Sequence, residues 1–582
     1  MIQTVLEIGK KFYESEENYK YHKYINQCLT NNKNNKIKIL SIPVDTAGEN
    51  FSFKIDEVEE IIDENIIKDK LFYLIFKTSD ADTTINYIYG DIYYAIDKNG
   101  KEKTGNYRIK DEKNTFEQVK KKIKGCKNKT ILNFRIEFER QKEKIDKIIL
   151  NIKDDNAIFL HFNFNDWHFK YWYNKDEIDE IDRLLIGHFF EKSRDNKDNE
   201  IYMPKTMLHR TICTGNDKND IQFPNFNKKN KYKSCFFSYE DARNSFYAIK
   251  YTEKPLIKIK KTDINIIALP KGNNLLALDY EKFNKYRSTL EDVTKKESEI
   301  VGANKSSEEL LEGLFEPLIN DSIAKDVIEF DLIFSKQGKQ SSPWIDIIEL
   351  SGIEKSDLQR IKKRIDKIGN KITDNNKQHK NLNIQDSFYK ILGDMSKSQK
   401  YKNHLCKVLP QIYTETYYND KILLHALIEK TEYNIRTGLK FAFLKEDFYF
   451  LTMIQNNNKE GENLMKIQES QSYKIGNLLG KLALPFANWR NDCPIKSFEK
   501  SYIGNLSRRI STLEEFIKFK NFIDEKLTIH EKLYKSTKDT SYQLAHAINN
   551  FSDRYNKDEC SFGFFEAYFE PIQNNNNKTE EN

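Results

Sequence analysis

The chain has 582 residues, with 95 Lys+Arg against 89 Asp+Glu, so its net charge is only +6, and 38% hydrophobic residues give a low mean hydropathy of −0.74. Aromatics at 13% argue against a disordered chain, while 11 Pro and 21 Gly exclude collagen-like, Gly/Ser-linker and polyproline architectures. No window approaches the ~18 uninterrupted apolar residues of a membrane-spanning helix, and the start lacks a basic region and carries Glu7 in its only apolar stretch, so neither a membrane span nor a signal peptide is expected.

The first elements in chain order are strands. Residues 71–76 (LFYLIF), 87–94 (YIYGDIYY) and 157–164 (AIFLHFNF) are aromatic and β-branched runs bounded by Asp, Asn and Gly. Residues 97–100 (DKNG) read as a turn, and 115–124 and 175–192 have helical spacing. A hairpin is expected from 327–334 (VIEFDLIF) and 344–350 (WIDIIEL), turning through 336–339. Beyond it only helical patterns follow. Ser356 is placed to cap a helix over 357–368, in which Leu358, Ile361, Ile365 and Ile368 form one apolar stripe. Amphipathic segments then occupy 420–438, 463–484, 511–534 and 541–556, the third opened by a capping box at Ser511-Thr-Leu-Glu514. Residues 573–582 (QNNNNKTEEN) have nothing to bury. The expected fold is an α+β N-terminal domain, 1–350, followed by an all-α bundle of four or five helices, 351–571, and a disordered tail, 572–582.

The small net charge conceals a separation. Residues 98–147 hold 17 basic and 8 acidic side chains (+9), and 354–409 hold 14 and 6 (+8), which leaves −11 for the remainder. An AT-rich coding sequence enriches Lys without selection for binding, so such runs also read as solvated faces. Seven scattered cysteines (Cys28, Cys126, Cys213, Cys235, Cys406, Cys493, Cys560) contain no C-x-x-C pair and fit reduced thiols.

Chemistry-bearing constellations are few. His161, Asp166 and His168 fall within eight residues, but on a strand positions 161 and 168 project to opposite faces, so no metal site is expected. Glu329 and Asp331, with Lys336 beyond them, have the acidic-pair-plus-lysine composition of a metal-dependent nuclease. The simpler expectation is a hairpin with a solvent face holding Glu329, Asp331 and Ile333 and an opposite face holding Ile328, Phe330 and Leu332. Walker A, G-x-S-x-G, H-E-x-x-H and G-x-G-x-x-G motifs are absent, which favours a non-enzymatic chain without cofactors. Nucleic-acid contact is favoured by distribution. Arg360, Lys362, Lys363, Arg364 and Lys367 share the polar face of the 357–368 helix, near Asn375, Asn376, His379 and Asn383, and Lys120, Lys121, Lys122 and Lys124 crowd the other basic segment. The loop 269–275 (LPKGNNL) offers Lys271, Asn273 and Asn274 on a backbone made flexible by Gly272.

Taken together, the start at 2–12, the 87–94 strand, 266–271 (IIALPK), 328–334 (IEFDLIF), 478–482 (LLGKL) and 561–565 (SFGFF) resemble, in order and spacing over most of the chain, the large subunit of type I-B CRISPR Cascade surveillance complexes. The resemblance implies a cytoplasmic, non-catalytic subunit at the crRNA 5′-handle end that recognises the protospacer-adjacent motif on duplex DNA. It also implies R-loop stabilisation, with the displaced single strand in contact, and recruitment of the helicase-nuclease, while guide pairing reads the target. The other implied partners are the backbone and handle-binding Cascade subunits and a small subunit. Relatives carry paired cysteines in the first domain. Here only Cys213 and Cys235 stand near that place, short of a four-ligand zinc site.

The resemblance further implies that the C-terminal helices are also made separately from an internal start. Met465 is the candidate, because Gly461-Glu462 in AT-rich codons would read as a ribosome-binding core; it would yield 118 residues, 465–582. Within them, 465–535 hold 13 basic and 8 acidic residues and 536–582 hold 4 and 8, a basic front and an acidic back. Lys474 and Lys481 stand off the core stripe of Ile475, Leu478, Leu479 and Leu482, and together with Arg508 and Arg509 are the expected contacts to single-stranded DNA.

Overall fold

The computed structural model describes residues 2–63, 72–74, 92–94, 129–151, 157–164, 175–204, 236–282, 325–336, 345–373, 382–455 and 462–576, with short interruptions inside several of these ranges. The expected turn at 97–100 and helix at 115–124 lie outside the described residues. Strands and helices alternate in the N-terminal region, and from residue 355 onward every described element is helical, so the fold is an α+β region followed by an all-α region. Contacts divide the chain into two compact units, one built on Met1–Lys254 and the other on most of the residues from Pro255 onward.

The first unit opens with α1 (Ile2–Tyr13), whose Val5, Leu6, Ile8 and Phe12 are buried. The i, i+3, i+7 spacing of Val5, Ile8 and Phe12 puts them on one stripe, with Leu6 beside it. Its strands are β1 (Ile25–Gln27), β2 (Asn31–Asn32), β3 (Asn35–Asp45), β4 (Ser52–Phe53), β5 (Glu59–Glu60), β6 (Phe72–Leu74), β7 (Ile92–Tyr94), β8 (Ala157–Phe164), β9 (Phe190–Arg194) and β10 (Glu200–Pro204). The main sheet runs β2-β3-β8-β7, with β3 parallel to β8 in the register Ile37↔Ala157 to Val44↔Phe164. A parallel pair needs a crossover, and the connection between these strands contains α2 (Lys129–Asn151). On it Phe134 and Phe138 meet Phe162 of β8, with ring centroids 5.0 and 6.1 Å away, and Phe53 joins them at 4.8 Å. The apolar sequence of β8 is thus matched by aromatic cover from α2 and β4. The helix expected over 175–192 ends earlier: α3 (Lys175–Phe189) passes directly into β9, and Phe189 and Phe190 are both buried. With α4 (Tyr239–Thr252), α3 encloses a polar network in which Asp182 accepts from Tyr247 Oη at 2.8 Å and lies 3.0 Å from His22 Nε2; all three side chains are buried. Burial pushes the Asp182 carboxyl up, against the hydrogen bonds from His22 and Tyr247.

The second unit begins with an antiparallel sheet in the order β11-β12-β13-β14: β11 (Ile257–Lys258), β12 (Ile264–Lys271), β13 (Glu329–Lys336) and β14 (Ile345–Glu354). The sheet packs with α5 (Lys355–Thr373) and a later helix, α7 (His404–Tyr413), where Phe334 meets Tyr413 at 5.5 Å. For this reason the division between units does not fall at residue 350, which lies inside β14: the hairpin belongs with the helices that cover it. β13 is also a central strand, not one with a solvent face. Every residue from Phe330 to Lys336 is buried, Asp331 and Ile333 included, and only Ile328 and Glu329 at its start are accessible.

Twelve α-helices follow β14 among the described residues, more than the four or five expected. Between α5 and α7 lies α6 (Ile384–Leu392), capped by Asn383; after α7 come α8 (Lys421–Thr437), α9 (Lys445–Ile454), α10 (Glu462–Glu469), α11 (Gln471–Ala483), α12 (Phe498–Tyr502), α13 (Leu506–Arg509), α14 (Leu513–Ile529), α15 (Lys535–Asn549) and α16 (Lys557–Asn576). Several expected boundaries move by a residue or a turn. Ser356 lies within the first turn of α5, with its hydroxyl 3.0 Å from Glu354 Oε2. The N-cap of α14 is Thr512, whose Oγ1 accepts from Glu515 N at 3.2 Å, while the Glu515 carboxylate accepts from the Ser511 hydroxyl; the S/T-x-x-E pattern exists in two registers and the structure caps with the second. Ser470 divides the 463–484 segment, accepting from Tyr473 N at 3.1 Å to start α11. α15 starts at Lys535 instead of 541 and ends at Asn549. α16 runs on to Asn576, so 573–576 are helical and only 577–582 lie outside the described residues.

α11 and α16 make the closest helix pair of this unit. A Cβ on Gly476 would lie 1.9 Å from Cys560 O, and one on Gly563 2.2 Å from Tyr473 O, so the two backbones touch where side chains are missing. Around that crossing Ile475, Leu479, Leu482, Phe562, Phe564, Phe565 and Tyr568 are buried.

Candidate nucleic-acid interface

The β12–β13 end of the sheet holds the first group of expected contacts. Lys271 closes β12 opposite Glu329, and its ammonium lies 3.0 Å from both Glu329 Oε1 and Asp331 Oδ1. Partial burial works against its charge, but the hydrogen bonds with Asp331 and Glu329 outweigh this and hold the ammonium above the usual lysine range. Asp331, fully buried, also accepts from Gly352 N at 3.1 Å, where β14 bulges between the pairs Phe330↔Ile353 and Leu332↔Leu350. Lys271 is thus the counter-ion of a buried carboxylate. Beside it Asn273 and Asn274 are exposed, Asn274 in the left-handed region at φ 70°. Gly272 is required by close approach and not by flexibility, since a Cβ there would stand 2.0 Å from Asp326 O. The alternation of β13 sends Lys336, itself buried, to the face opposite Asp331, so the strand does not assemble Glu329, Asp331 and Lys336 into one group.

The second group sits on α5. Arg360 pairs with Asp357 at 2.9 Å and with Glu415, whose carboxylate holds the guanidinium above its usual range. Arg364 lies 3.5 Å from Glu415 and donates to the Ile454 carbonyl at 2.6 Å. Further along the +8 segment, Lys390 pairs with Asp447 and Lys400 with Glu429. Apart from Asp357, the acids involved, Glu415, Glu429 and Asp447, lie beyond residue 409, so folding returns to this segment negative charge that its own sequence lacks. Lys363 and Lys367 are exposed and Lys362 half-buried. Asn383 is the α6 cap, and Asn375, Asn376 and His379 lie outside the described residues, as do Lys120, Lys121, Lys122 and Lys124. His161 is buried in β8; Asp166, His168, Cys213 and Cys235 are outside the described residues. Among the described residues no group of three or more His, Cys, Asp or Glu side chains is placed to hold a metal ion, and no helix is long and apolar enough to cross a membrane.

The third group, on the C-terminal helices, differs. Lys518 pairs with Glu514, Lys520 with Asp524, and Arg490 and Lys532 share Asp492, whose carboxyl they hold down to about 2. That uses up Glu514, Asp524 and Asp492. Lys474, Lys481, Lys496, Lys500 and Arg508 are exposed and have no carboxylate partner among the described residues. Lys474 and Lys481, two turns apart on α11, share a face. Arg509 is exposed over the Tyr502 ring, 4.9 Å from its centroid, and donates to the Ser501 carbonyl at 3.2 Å. Lys496 and Lys500 do not stand out in the sequence because their segment has no helical period; Tyr502 and Phe522, 4.8 Å apart, do not because 20 residues separate them. Met465 is exposed in α10.

A scan against protein-family models and a search of curated proteins give no match to this chain.

Proposed function

We propose that this protein is a non-catalytic nucleic-acid-binding subunit that contacts its ligand through the C-terminal helices. The observation that carries the reading is the set of exposed cations at Lys474, Lys481, Lys496, Lys500 and Arg508 that have no carboxylate partner among the described residues, in a region where Lys518, Lys520 and Lys532 are paired. Unpaired surface lysines and arginines are the groups that gain most from displacing counter-ions off a phosphate backbone. Taken with the collinear resemblance of the chain, the reading extends to the cytoplasmic large subunit of a type I-B CRISPR Cascade complex. Its ligands are then crRNA, target duplex DNA and the displaced strand, and its protein partners the backbone and handle-binding subunits, a small subunit and the helicase-nuclease. Exposed Asn273 and Asn274 remain available to a duplex groove in that role, whereas Lys271 supports them from behind as a fixed ion pair.

Binding of the purified chain to labelled DNA over a salt series tests the reading. With ~6–10 phosphate contacts, affinity drops by ~10³-fold or more between low and moderate salt, and Arg508→Glu lowers the slope of log affinity against log salt by about one or more. Salt-independent or absent binding refutes it. Magnesium-dependent cutting of DNA that Asp331→Ala abolishes would replace it with a nuclease.

A further inference from the structure

A cavity of about 350 Å³ opens between the start of α8, the end of α9, α10 and the start of α16. It stands at the small end of the ~300–1,000 Å³ of ligand sites. Leu424, Phe448 and Ile467 supply its apolar wall, and the polar lining is unevenly matched. Asp420 is fully used: it caps α8 through Ile422 N and Leu423 N, both at 3.1 Å, and lies 2.6 Å from His404 Nε2. Gln455, only 4% exposed, donates to Asp420 Oδ2 at 3.4 Å, which leaves its carbonyl oxygen with no partner among the described residues. Asp558 turns one carboxylate oxygen to His425 Nδ1 at 3.1 Å and has no partner on the other, and Glu559 meets only Asn556 Nδ2, at 2.9 Å. Neither lysine of the lining answers these groups, since Lys466 pairs with Glu462 at 2.7 Å and Lys421 is exposed without a carboxylate partner among the described residues. The atoms left unmatched, Gln455 Oε1, Asp558 Oδ1 and Glu559 Oε2, are therefore all acceptors, and two of them belong to carboxylates.

We propose that this cavity binds a small aliphatic diamine. An ammonium group carries three donors and no acceptor, the complement of this lining, and its hydrogen bonds to carboxylates are charge-assisted. One ammonium sits beside Asp558 and Glu559 at the start of α16; the other meets Gln455 Oε1, with the charge of Asp420 behind it. The methylene stem between them lies along Leu424, Phe448 and Ile467, as the stem of a lysine does on an apolar surface. An anion would meet like charge here, and a hydrocarbon would leave the acceptors unpaired at full desolvation cost. The lining comes from helices about 100 residues apart in the chain, so the bound diamine fastens α16 to α8 and α9 and stabilises the folded state. This inference is independent of the nucleic-acid reading.

The test is a calorimetric titration of the full chain, without nucleic acid, using putrescine and, as the same stem without charge, butanediol. Saturable binding of a single putrescine per chain is expected, with no binding of butanediol over the same range. Glu559→Gln keeps the contact with Asn556 and should weaken putrescine binding about 10- to 150-fold by removing a charge-assisted hydrogen bond. Gln455→Met should weaken it about 2- to 10-fold, while Asp420 retains its bonds to His404 and α8. In the wild type, putrescine should slow hydrogen exchange of the amides of α10 and of the first turn of α16, a readout that does not depend on how a variant folds. Absent binding, binding without a single-site component, equal affinity for the diol, unchanged affinity in either variant, or protection confined to other helices overturns the diamine site and leaves the nucleic-acid reading standing.

Discussion

Substituting Gly476 by Ala separates two opposing effects whose sizes the structure fixes. In an exposed helix interior Gly→Ala stabilises by about 1 kcal/mol, because alanine loses less backbone entropy on folding. At Gly476 the added methyl would lie 1.9 Å from Cys560 O, 2.7 Å from Cys560 C and 2.9 Å from Cys560 Cα. All three atoms are backbone, so no rotamer change relieves the clash and α11 and α16 must move apart. Overpacking a core costs about 1–3 kcal/mol when side chains can adjust, and a backbone obstacle places this site at or above that range, about 3–5 kcal/mol. The net loss is then about 2–4 kcal/mol. Hydrogen exchange of the α11 and α16 amides reads it directly, since these amides report opening of their own helices; exchange should be about 30- to 1000-fold faster in the variant. Gly187, near the end of α3, is the internal control. Nothing lies within 4 Å of where its Cβ would be, so Gly187→Ala should stabilise α3 by about 0.5–1 kcal/mol. Unchanged or slower exchange in α11 and α16 of Gly476→Ala would refute the close-crossing argument.

Three other changes have defined outcomes. Lys271→Met removes the counter-ion of fully buried Asp331 and should cost about 2–4 kcal/mol in urea unfolding, less than a fully buried pair because Lys271 is partly exposed; adding Asp331→Asn should restore most of it, and no recovery would refute the ion-pair assignment. Glu499 accepts from Asn488 N at 2.9 Å, Asn488 Nδ2 at 3.0 Å and Tyr568 Oη at 3.2 Å, yet burial outweighs these bonds and raises its carboxyl. The folded state therefore binds this proton more tightly than the unfolded chain. Stability of the wild type relative to Glu499→Gln should rise as pH falls from neutral through the raised range towards the ordinary glutamate value, and a difference that is flat in pH refutes it. Expression with a C-terminal tag should yield a 118-residue product by mass spectrometry that Met465→Leu removes, and persistence of that product in the variant rules out Met465 as its start.

How far the sequence could be read depended on whether the information was local. The β8 run at 157–164 and the helix at 420–438 were legible because the aromatic and β-branched composition of the one and the amphipathic period of the other are contained in the segment. The buried face of β13 was not, because Asp331 looks like a solvent-facing residue until Lys271, 60 positions earlier, is placed beside it. The same holds for charge. Summed along the chain, 354–409 is strongly basic, but Glu415, Glu429 and Asp447 are supplied by later helices and turn Arg360, Arg364, Lys390 and Lys400 into internal fasteners. Arg508 could be found as a doublet with Arg509 because its exposure follows from a short polar turn. The Tyr502–Phe522 contact could not, since it is made only when α12 and α14 have packed, although the Phe522–Lys526 spacing of one helical turn was visible.

The break at Ser470 gives the C-terminal helices their own point of departure. α11 starts from a serine whose hydroxyl caps the Tyr473 amide, and not as a continuation of α10. A ribosome that began at Met465 would discard the first turn of α10, including buried Leu464, and five residues later would reach a complete signal for the next helix. The helices after Ser470 nevertheless lean on those before it: Phe562 of α16 lies 5.1 Å from Phe448 of α9, Glu566 pairs with Lys445 at 2.7 Å, and Glu432 of α8 accepts from Ser507 N, so a product starting at Met465 would leave that face of α16 uncovered.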